Sequence, residues 1–411
     1  MPTLFQISIE VNSGSVGRIA EQIGQTAISH GWKSYITYAR NHLPSRSQTI
    51  KIGAKPGIYW HGIMTRLFDR HCLHSTRATR KLIRQIEEIK PDIIQLHHIH
   101  GYFLNMKVLF RYLSSINTPV VWVFHDCWAF TGHCAHFDYA GCYKWQTQCS
   151  DCIQKKVYPA SYLTDRSYKN YTLKKELFNA VPNMTIVPVS EWLGRIVKQS
   201  FLQKYPVKII QNGIDLHTFS PQPLHDVENM RKELGISGNA PVLLGVAGTW
   251  DQRKGLDDFI RLSQIIPPDW HIVLVGLTKK QLKLLPANII GIKRTENVRQ
   301  LATLYTMSTV FINPTWEDTF PTTNLESMAC GTPVITYNTG GSVESVSGET
   351  GYVVEKGDIQ ALKECTSEIL KNTKERYKNA CLDRATGLYD KNNRFEDYIQ
   401  LYNNLLGRTK K

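Results

Sequence analysis

The chain has 411 residues, 42% of them hydrophobic and 20% charged, with nine cysteines and a formal net charge of +14. This length exceeds what one hydrophobic core usually serves, so two domains are expected, with the composition of an ordinary soluble globular protein. No run of about 18 uncharged apolar residues occurs and MPTLFQISIEV reads as a strand rather than a signal peptide, so a cytoplasmic protein is expected; the positive charge asks for an anionic partner, whether nucleic acid, lipid headgroups or a phosphorylated substrate.

Residues 4–39 read as strand, glycine-containing turn, helix and strand. Ile19, Ile23 and Ala27 keep one helix face apolar, and Gly14 and Gly17 let the backbone ahead of it approach a ligand closely. A helix is predicted over 66–86, with Arg66, Arg70, Arg77, Arg80, Lys81 and Arg84 on one face and Phe68, Cys72, Leu82, Ile83 and Ile86 opposite. The basic stripe suits docking to an anionic membrane or a lipid diphosphate acceptor; equally, it suits a solvated face on a helix that covers a sheet.

PDIIQLHHIH and TPVVWVFHD are β-branched runs fit for central parallel strands. Ligands of open α/β sheets collect at the carboxyl ends of strands, which is where His98, His100, His125 and Asp126 stand. The stretch 127–152 is irregular and rich in aromatics and cysteine. Cys134, Cys142, Cys149 and Cys152 end in the close C-x-x-C pair that thiolate zinc sites use, with His133 and His136 as substitute ligands. A structural zinc, free or redox-active thiols, and disulfides are the three readings. The position directly after His125 suggests a lid or acceptor-binding loop. Further on, APVLLGVAGTWDQRKGLDDFI is again strand, turn and helix, and Lys254 ahead of Gly255 sets a flexible ammonium at the helix start. Strands and helices alternate through both halves, which predicts an α/β protein with two Rossmann-like, doubly wound parallel sheets facing each other.

Residues 315–341, TWEDTFPTTNLESMACGTPVITYNTGG, contain what is needed to hold a nucleotide diphosphate. A helix whose first turn is Pro321, Thr322 and Thr323 leaves backbone N–H groups outward as an anion site. Glu326, about one turn in, can accept both hydroxyls of a ribose. Asp318 can reach hydroxyls on the other side of the diphosphate, and Gly331 and Pro333 stop the helix. The spacing Asp318-x7-Glu326 followed by S-M-A-C-G-T-P-V closely resembles the nucleotide-sugar signature of the retaining GT-B glycosyltransferases, family 4, of the bacterial polysaccharide-biosynthesis type.

That resemblance spans nearly the whole chain and is densest over 206–355. It implies the GT-B fold, with two domains facing across a cleft: an acceptor-side domain over 1–205, a nucleotide-sugar domain over 206–375, and a C-terminal helical segment, 376–411, crossing back to the first. It implies that Gly14 and Ser15 lie against the diphosphate and the sugar or acceptor, that His125 stands beside the donor sugar, and that Lys254 binds the donor phosphates. Where the family has an arginine after the glycine of the Lys254 turn this chain has Thr249, and Arg253 can replace its charge from a neighbouring position. The first member of the family's acidic pair is normally Glu; here it is Asp318, one methylene shorter, with Glu317 just before it.

No D-x-D occurs, so no divalent ion is expected at the diphosphate and no cofactor is required for catalysis; Lys254, Arg253 and the helix start neutralise the leaving group. The resemblance implies retention through an oxocarbenium-like state, with the departing phosphate oxygen taking the acceptor's proton on the same face. The expected donor is a UDP- or GDP-sugar and the acceptor a saccharide or lipid-linked saccharide. Arg70, Arg77, Lys81 and Arg84 would meet an anionic membrane surface or the acceptor, at the inner face of the cytoplasmic membrane. Two other readings use the same features. Nonhydrolysing sugar-nucleotide epimerases share the paired-domain fold but need no acceptor surface. A nucleic-acid-binding protein would use the charge, but the basic residues do not interleave with aromatics, so no nucleic-acid partner is expected.

Overall fold

The computed structural model describes residues 1–407. It divides into two compact units, one of Met1–Gln211 with the chain from Phe395 on, the other of Asn212–Arg394. Among the described residues no helix is long and apolar enough to cross a membrane.

In chain order the first unit runs β1 (Thr3–Ile7), α1 (Gly14–Ser29), β2 (Lys33–Tyr38), β3 (Gln48–Lys51), α2 (Lys55–Phe68), α3 (Thr76–Ile89), β4 (Ile93–Leu96), α4 (Met106–Leu113), β5 (Val120–Phe124), α5 (Ser167–Asn179), β6 (Met184–Pro188) and α6 (Glu191–Gln199). Its six strands are parallel in the order β3-β2-β1-β4-β5-β6. β1, β4, β5 and β6 are buried along their whole length, as strands covered by helices on both faces must be, and each large apolar side chain so buried contributes about 2 kcal/mol. Two glutamines interrupt this apolar centre and satisfy each other, the Gln95 amide donating to Gln6 Oε1 at 3.2 Å.

The predicted helix over 66–86 is two helices. α2 ends at Phe68, and Asp69 takes a left-handed conformation, φ 49°. The buried Asp69 carboxylate holds the turn: it accepts from the Arg166 amide at 2.8 Å and contacts His133 Nδ1 at 2.7 Å. These partners lie far along the chain, so helical periodicity carries no sign of the break. Arg66 therefore belongs to α2 and Arg70 to the turn, while Arg77, Arg80, Lys81 and Arg84 form an exposed stripe on α3 opposite buried Leu82 and Ile86.

After β6 the chain zips along that strand as far as Ile210, whose amide donates to Pro188 O at 3.2 Å, following the Lys208 to Ile186 bond at 3.1 Å. The division consequently falls after Gln211, where the sequence expectation placed it after residue 205.

The second unit runs α7 (Leu224–Glu233), β7 (Val242–Val246), α8 (Leu256–Ser263), β8 (His271–Val275), α9 (Lys279–Leu282), β9 (Ile289–Ile292), α10 (Val298–Met307), β10 (Val310–Asn313), α11 (Thr322–Ala329), β11 (Val334–Tyr337), α12 (Ser342–Ser345), β12 (Gly351–Val354), α13 (Ile359–Asn372) and α14 (Lys374–Tyr389), and holds only the first residues of α15 (Lys391–Leu405). Its parallel sheet has the order β12-β11-β10-β7-β8-β9. α14, expected to begin the return crossing, belongs here: Tyr377, Cys381 and Ala385 recur every fourth residue as a buried stripe, and Arg384 donates to the carbonyls of Ser345 and Glu344. The first unit takes the chain only from Phe395, within α15, where Tyr402 donates its hydroxyl to Gln95 and packs against Trp32. Residues 408–411 of the predicted crossing segment lie outside the described residues.

Candidate functional site

In the second unit two loops at the carboxyl edge of the sheet are stitched together, the turn after β7 and the loop after β10. The Trp316 amide donates to Arg253 O at 2.7 Å and the Thr315 hydroxyl to the same carbonyl at 3.2 Å. Gly255 has φ +75°, and a Cβ there would stand 2.2 Å from Pro314 O, so this approach requires glycine. The stitch brings Lys254 Nζ to 2.7 Å from Asp318 Oδ2, both side chains partly exposed.

Asp318 is fixed from two further directions. Its Oδ1 accepts from the Phe320 amide at 3.1 Å, and its carbonyl accepts from the Gly341 amide at 3.1 Å. Gly340 lies so near that an added Cβ would be 1.9 Å from that carbonyl. α11 starts at Thr322, with Pro321 as the N-cap residue rather than part of the first turn, and no side chain caps the helix. Its first amides, at the half-buried Thr322 and Thr323, keep the partial positive charge of a helix start. One turn on, Glu326 Oε2 accepts the hydroxyl of Tyr305 at 2.9 Å, which fixes the carboxylate. Burial first, and then the Glu326 charge, push the Tyr305 hydroxyl pKa well above the usual value, so it remains a donor.

Arg253 departs from expectation. Its guanidinium is held by Glu317 at 3.1 Å and Asp251 at 3.2 Å, and Glu317 is only 3% exposed. Burial works against the charge, but these two carboxylates outweigh it. Arg253 thus braces the acidic loop, and Lys254 is the cation directed at Asp318. Tyr305, Glu317 in its bracing role, and Asp258, which accepts from the Trp316 indole at 2.7 Å, were not singled out by sequence reasoning. The tyrosine's place in LATLYTMS, one turn from the end of a helix, offers no signal for its role.

In the first unit the predicted histidines do come together. His98, His100 and Asp126 place three ligand-type atoms within 4.8 Å of one another, two imidazoles and one carboxylate, a donor set of the kind transition metals take. The carboxylate is engaged with both imidazoles: Asp126 Oδ2 is 2.9 Å from His100 Nε2 and 3.3 Å from His98 Nε2, the latter without hydrogen-bond alignment. Burial opposes the Asp126 charge, and His100 and His98 overcome it, holding the carboxyl well below its usual range. His125 shares a hydrogen bond with His97 Nδ1 at 3.2 Å, and His97 in turn meets Gln6 and Gln95. Burial, followed by His98 and His97, lowers the His125 pKa well below 6.5, so it is a neutral imidazole at physiological pH. His97, overlooked in the sequence, orients His125. Gly14 and Ser15 form the exposed start of α1, after β1 of the same sheet.

The stretch 127–152 has two 3-10 turns, Trp128–Phe130 and Lys144–Gln146, and is anchored from below by Lys174, whose buried ammonium donates to Trp128 O at 2.6 Å and Thr131 O at 3.0 Å. The Cys134 and Cys152 thiols share a hydrogen bond, and Cys149 and Cys142 are near enough to interact electrostatically. No three of the four thiols form a set within 4.8 Å of one another. The substitute ligand His133 is committed elsewhere, to Asp69 at 2.7 Å.

Residues 16–218 match the family model described as Glycosyltransferase Family 4, and residues 240–372 the one described as Glycosyl transferases group 1. WcaC of Escherichia coli, named as a colanic acid biosynthesis glycosyl transferase, is 22% identical over 98% of this chain and 100% of its own length. The alpha-galactosylglucosyldiacylglycerol synthase of Streptococcus pneumoniae is 30% identical over 42% of this chain; the chain spans 50% of that relative's length. Among solved structures, Anabaena HepE in complex with UDP-glucose superposes with a TM-score of 0.66 over 97% of this chain and 99% of its own, at 15% identity, a likeness of fold.

Proposed function

Because the chain belongs to glycosyltransferase family 4, we propose that it moves a sugar, with retention of configuration, from a UDP- or GDP-sugar to a saccharide or lipid-linked saccharide in cell-surface polysaccharide synthesis. The observation that carries this reading is the second unit's cluster: the Lys254–Asp318 pair at 2.7 Å and the Tyr305-held Glu326 around the uncapped start of α11. It matches the needs of a nucleotide sugar group by group. Helix-start amides at Thr322 and Thr323 and the Lys254 ammonium meet the diphosphate, Glu326 accepts from the ribose, and Asp318 takes a hydroxyl of the sugar. HepE is a structure of this fold solved with UDP and with UDP-glucose, which agrees with such a donor.

As the bond to the diphosphate breaks, negative charge grows on the departing oxygen where Lys254 and the helix start act, and that oxygen removes the acceptor's proton. His125, uncharged, offers a hydrogen bond to the sugar rather than a proton. No step needs a divalent metal. Transfer from the matching nucleotide sugar is therefore expected to persist in excess EDTA, and that sugar alone should stabilise the protein by about 3 kcal/mol at a hundredfold excess over Kd. Silence across UDP- and GDP-sugars would remove the donor assignment. Immediate loss of transfer in EDTA with rescue by magnesium or manganese would overturn the metal-free step.

The acceptor side is proposed to work at the inner face of the cytoplasmic membrane. Beside the α3 stripe, α2 exposes Tyr59, Trp60, Ile63 and Phe68, so aromatic and aliphatic side chains accompany the charges. Each Lys or Arg near an anionic surface contributes about 1 kcal/mol. Cosedimentation with phosphatidylglycerol vesicles but not with neutral ones is expected, largely abolished when Arg70, Arg77, Lys81 and Arg84 become glutamine. Equal binding by wild type and variant would leave the stripe an ordinary solvated face.

Cys134, Cys142, Cys149 and Cys152 are proposed to close on a structural zinc by side-chain rotation. In support, the backbone amides of Gly132 and Gln154 hydrogen-bond the sulfurs of Cys149 and Cys152, a device that stabilises thiolate ligands. Metal analysis should find about one zinc per chain, lost together with loop stability in Cys149→Ser/Cys152→Ser. Zinc-free protein whose stability ignores both changes would end this reading.

A further inference from the structure

The first unit contains a pocket that the donor chemistry leaves unused. Arg40 follows β2, Lys51 ends β3, and Lys55 and Arg66 stand near the two ends of α2; with Tyr38, Tyr59 and Tyr102 they line a cavity of about 520 Å3. That volume lies within the ordinary range for small-molecule sites. No carboxylate lines it. Among the described residues none of its four cations is in an ion pair. Like charges gathered at one concavity repel one another, and an anion placed among them relieves that repulsion.

Two of the cations are held in position. Arg40 donates to Gly101 O at 3.1 Å and lies 5.5 Å from the Tyr102 ring centre, and Arg66 lies 6.0 Å from the same ring. Planar guanidiniums fixed in this way suit the paired oxygens of phosphate, and the two lysines add point charges.

The pocket's place argues for the reacting edge of the sheet. Arg40 and Lys51 stand at the carboxyl ends of β2 and β3, and Tyr102 follows β4, the same edge on which His125 follows β5. Contacts lead from one to the other without a gap: Tyr102 packs against Tyr158 at 6.3 Å, the Tyr158 hydroxyl is 3.1 Å from His100, and His100 is 2.9 Å from Asp126.

We propose that this pocket binds a phosphate or diphosphate group carried by the acceptor, an assignment that rests on the reading of the chain as a sugar transferase. The anion sits between Arg40 and Arg66, and Lys51 and Lys55 close its outer side. The remainder of the acceptor extends along the contact path towards His125.

The test is calorimetric titration of the full chain at low salt with inorganic pyrophosphate and, separately, with farnesyl diphosphate. Lys254→Ala serves as the background, since it weakens diphosphate binding at the donor site. In that background Arg40→Gln/Arg66→Gln should weaken both probes at least about tenfold, as loss of two charge-assisted bonds does. Lys51→Gln/Lys55→Gln, on exposed side chains, should weaken them in the same direction without touching Tyr102. Lys107→Gln/Arg111→Gln, exposed on α4 and outside the pocket, should change them less than about twofold. Unchanged affinity in both pocket variants, or an equal loss in the α4 variant, overturns the proposal. Tighter binding of farnesyl diphosphate than of pyrophosphate identifies a lipid-borne group, and equal binding a soluble phosphorylated acceptor. Thermal shifts with UDP- and GDP-sugars separate the two readings: if none binds while pyrophosphate still requires Arg40 and Arg66, the pocket stands and the donor assignment falls.

Discussion

Glu326→Gln and Lys254→Ala are each expected to leave the second unit folded and to reduce transfer at least about a hundredfold, the usual effect of losing a charge-assisted contact to the substrate. The two losses should differ in kind. Lys254 meets the bound diphosphate and acts more strongly as charge grows on the departing oxygen, so its removal should lower kcat as well as raise the KM for the donor. Glu326 holds the ribose in ground state and transition state alike, so its loss should raise the KM for the donor. Neither change should unfold the unit: Asp318, left without Lys254, is 19% exposed and still accepts the Phe320 amide, and glutamine at 326 retains an oxygen for the Tyr305 hydroxyl. Steady-state kinetics with the matching donor decide the matter. Activity within about threefold of wild type in both variants would remove the assigned site.

The second large effect is acid lability of the first unit. His97 and His61 are lowered from 6.5 to about 3 and His98 to about 4, and His71 and His125 also fall well below 6.5, in every case chiefly by burial, with neighbouring imidazoles adding to it and, at His98, the Asp126 carboxylate opposing it. In the unfolded chain each takes a proton near pH 6.5, whereas in the folded chain His98 stays neutral until about pH 4, His97 and His61 until about pH 3, and His71 and His125 until well below 6.5. The unfolded state therefore binds more protons across that window. The stability these groups contribute is complete above pH 6.5 and is lost as pH falls towards 4, by about 1.4 kcal/mol per pH unit for each histidine. His133 opposes them, since the Asp69 carboxylate overcomes burial and raises its pKa, so its contribution is present in acid and lost as pH rises. One such group does not offset five. Urea midpoints should fall steeply between pH 6.5 and about 4.5, with amide exchange rising first in the strands of the first unit. A flat profile there would show that these imidazoles are not kept neutral by the fold.

Much of this molecule was legible because its signals are local. Apolar strands alternating with amphipathic helices follow from side-chain periods of two and 3.6, and the 315–341 stretch carries its turn, helix start, acidic pair and exit within one segment. What escaped depends on partners distant in sequence. The helix break at Asp69 is fixed by residues 133 and 166; Arg253 is taken up by Glu317; Glu326 is oriented by Tyr305; and His97 turns inward to meet Gln6 and Gln95. None of these pairs leaves a periodic trace. The return crossing was misplaced for a related reason, because α14 and α15 are both helical and amphipathic and only the surface each one meets distinguishes them.

Gly340 carries no functional group, and its contribution to the donor cluster is the absence of an atom. Every other amino acid would bring a carbon to 1.9 Å from the Asp318 carbonyl and displace the carboxylate that faces Lys254. In a saturation library selected for transfer, position 340 should accept no replacement, whereas the chemically active neighbour at 318 retains some function as glutamate. Intolerance to substitution in this loop would then track clearance rather than reactivity, and an inventory of acids, bases and cations would pass over its least replaceable residue.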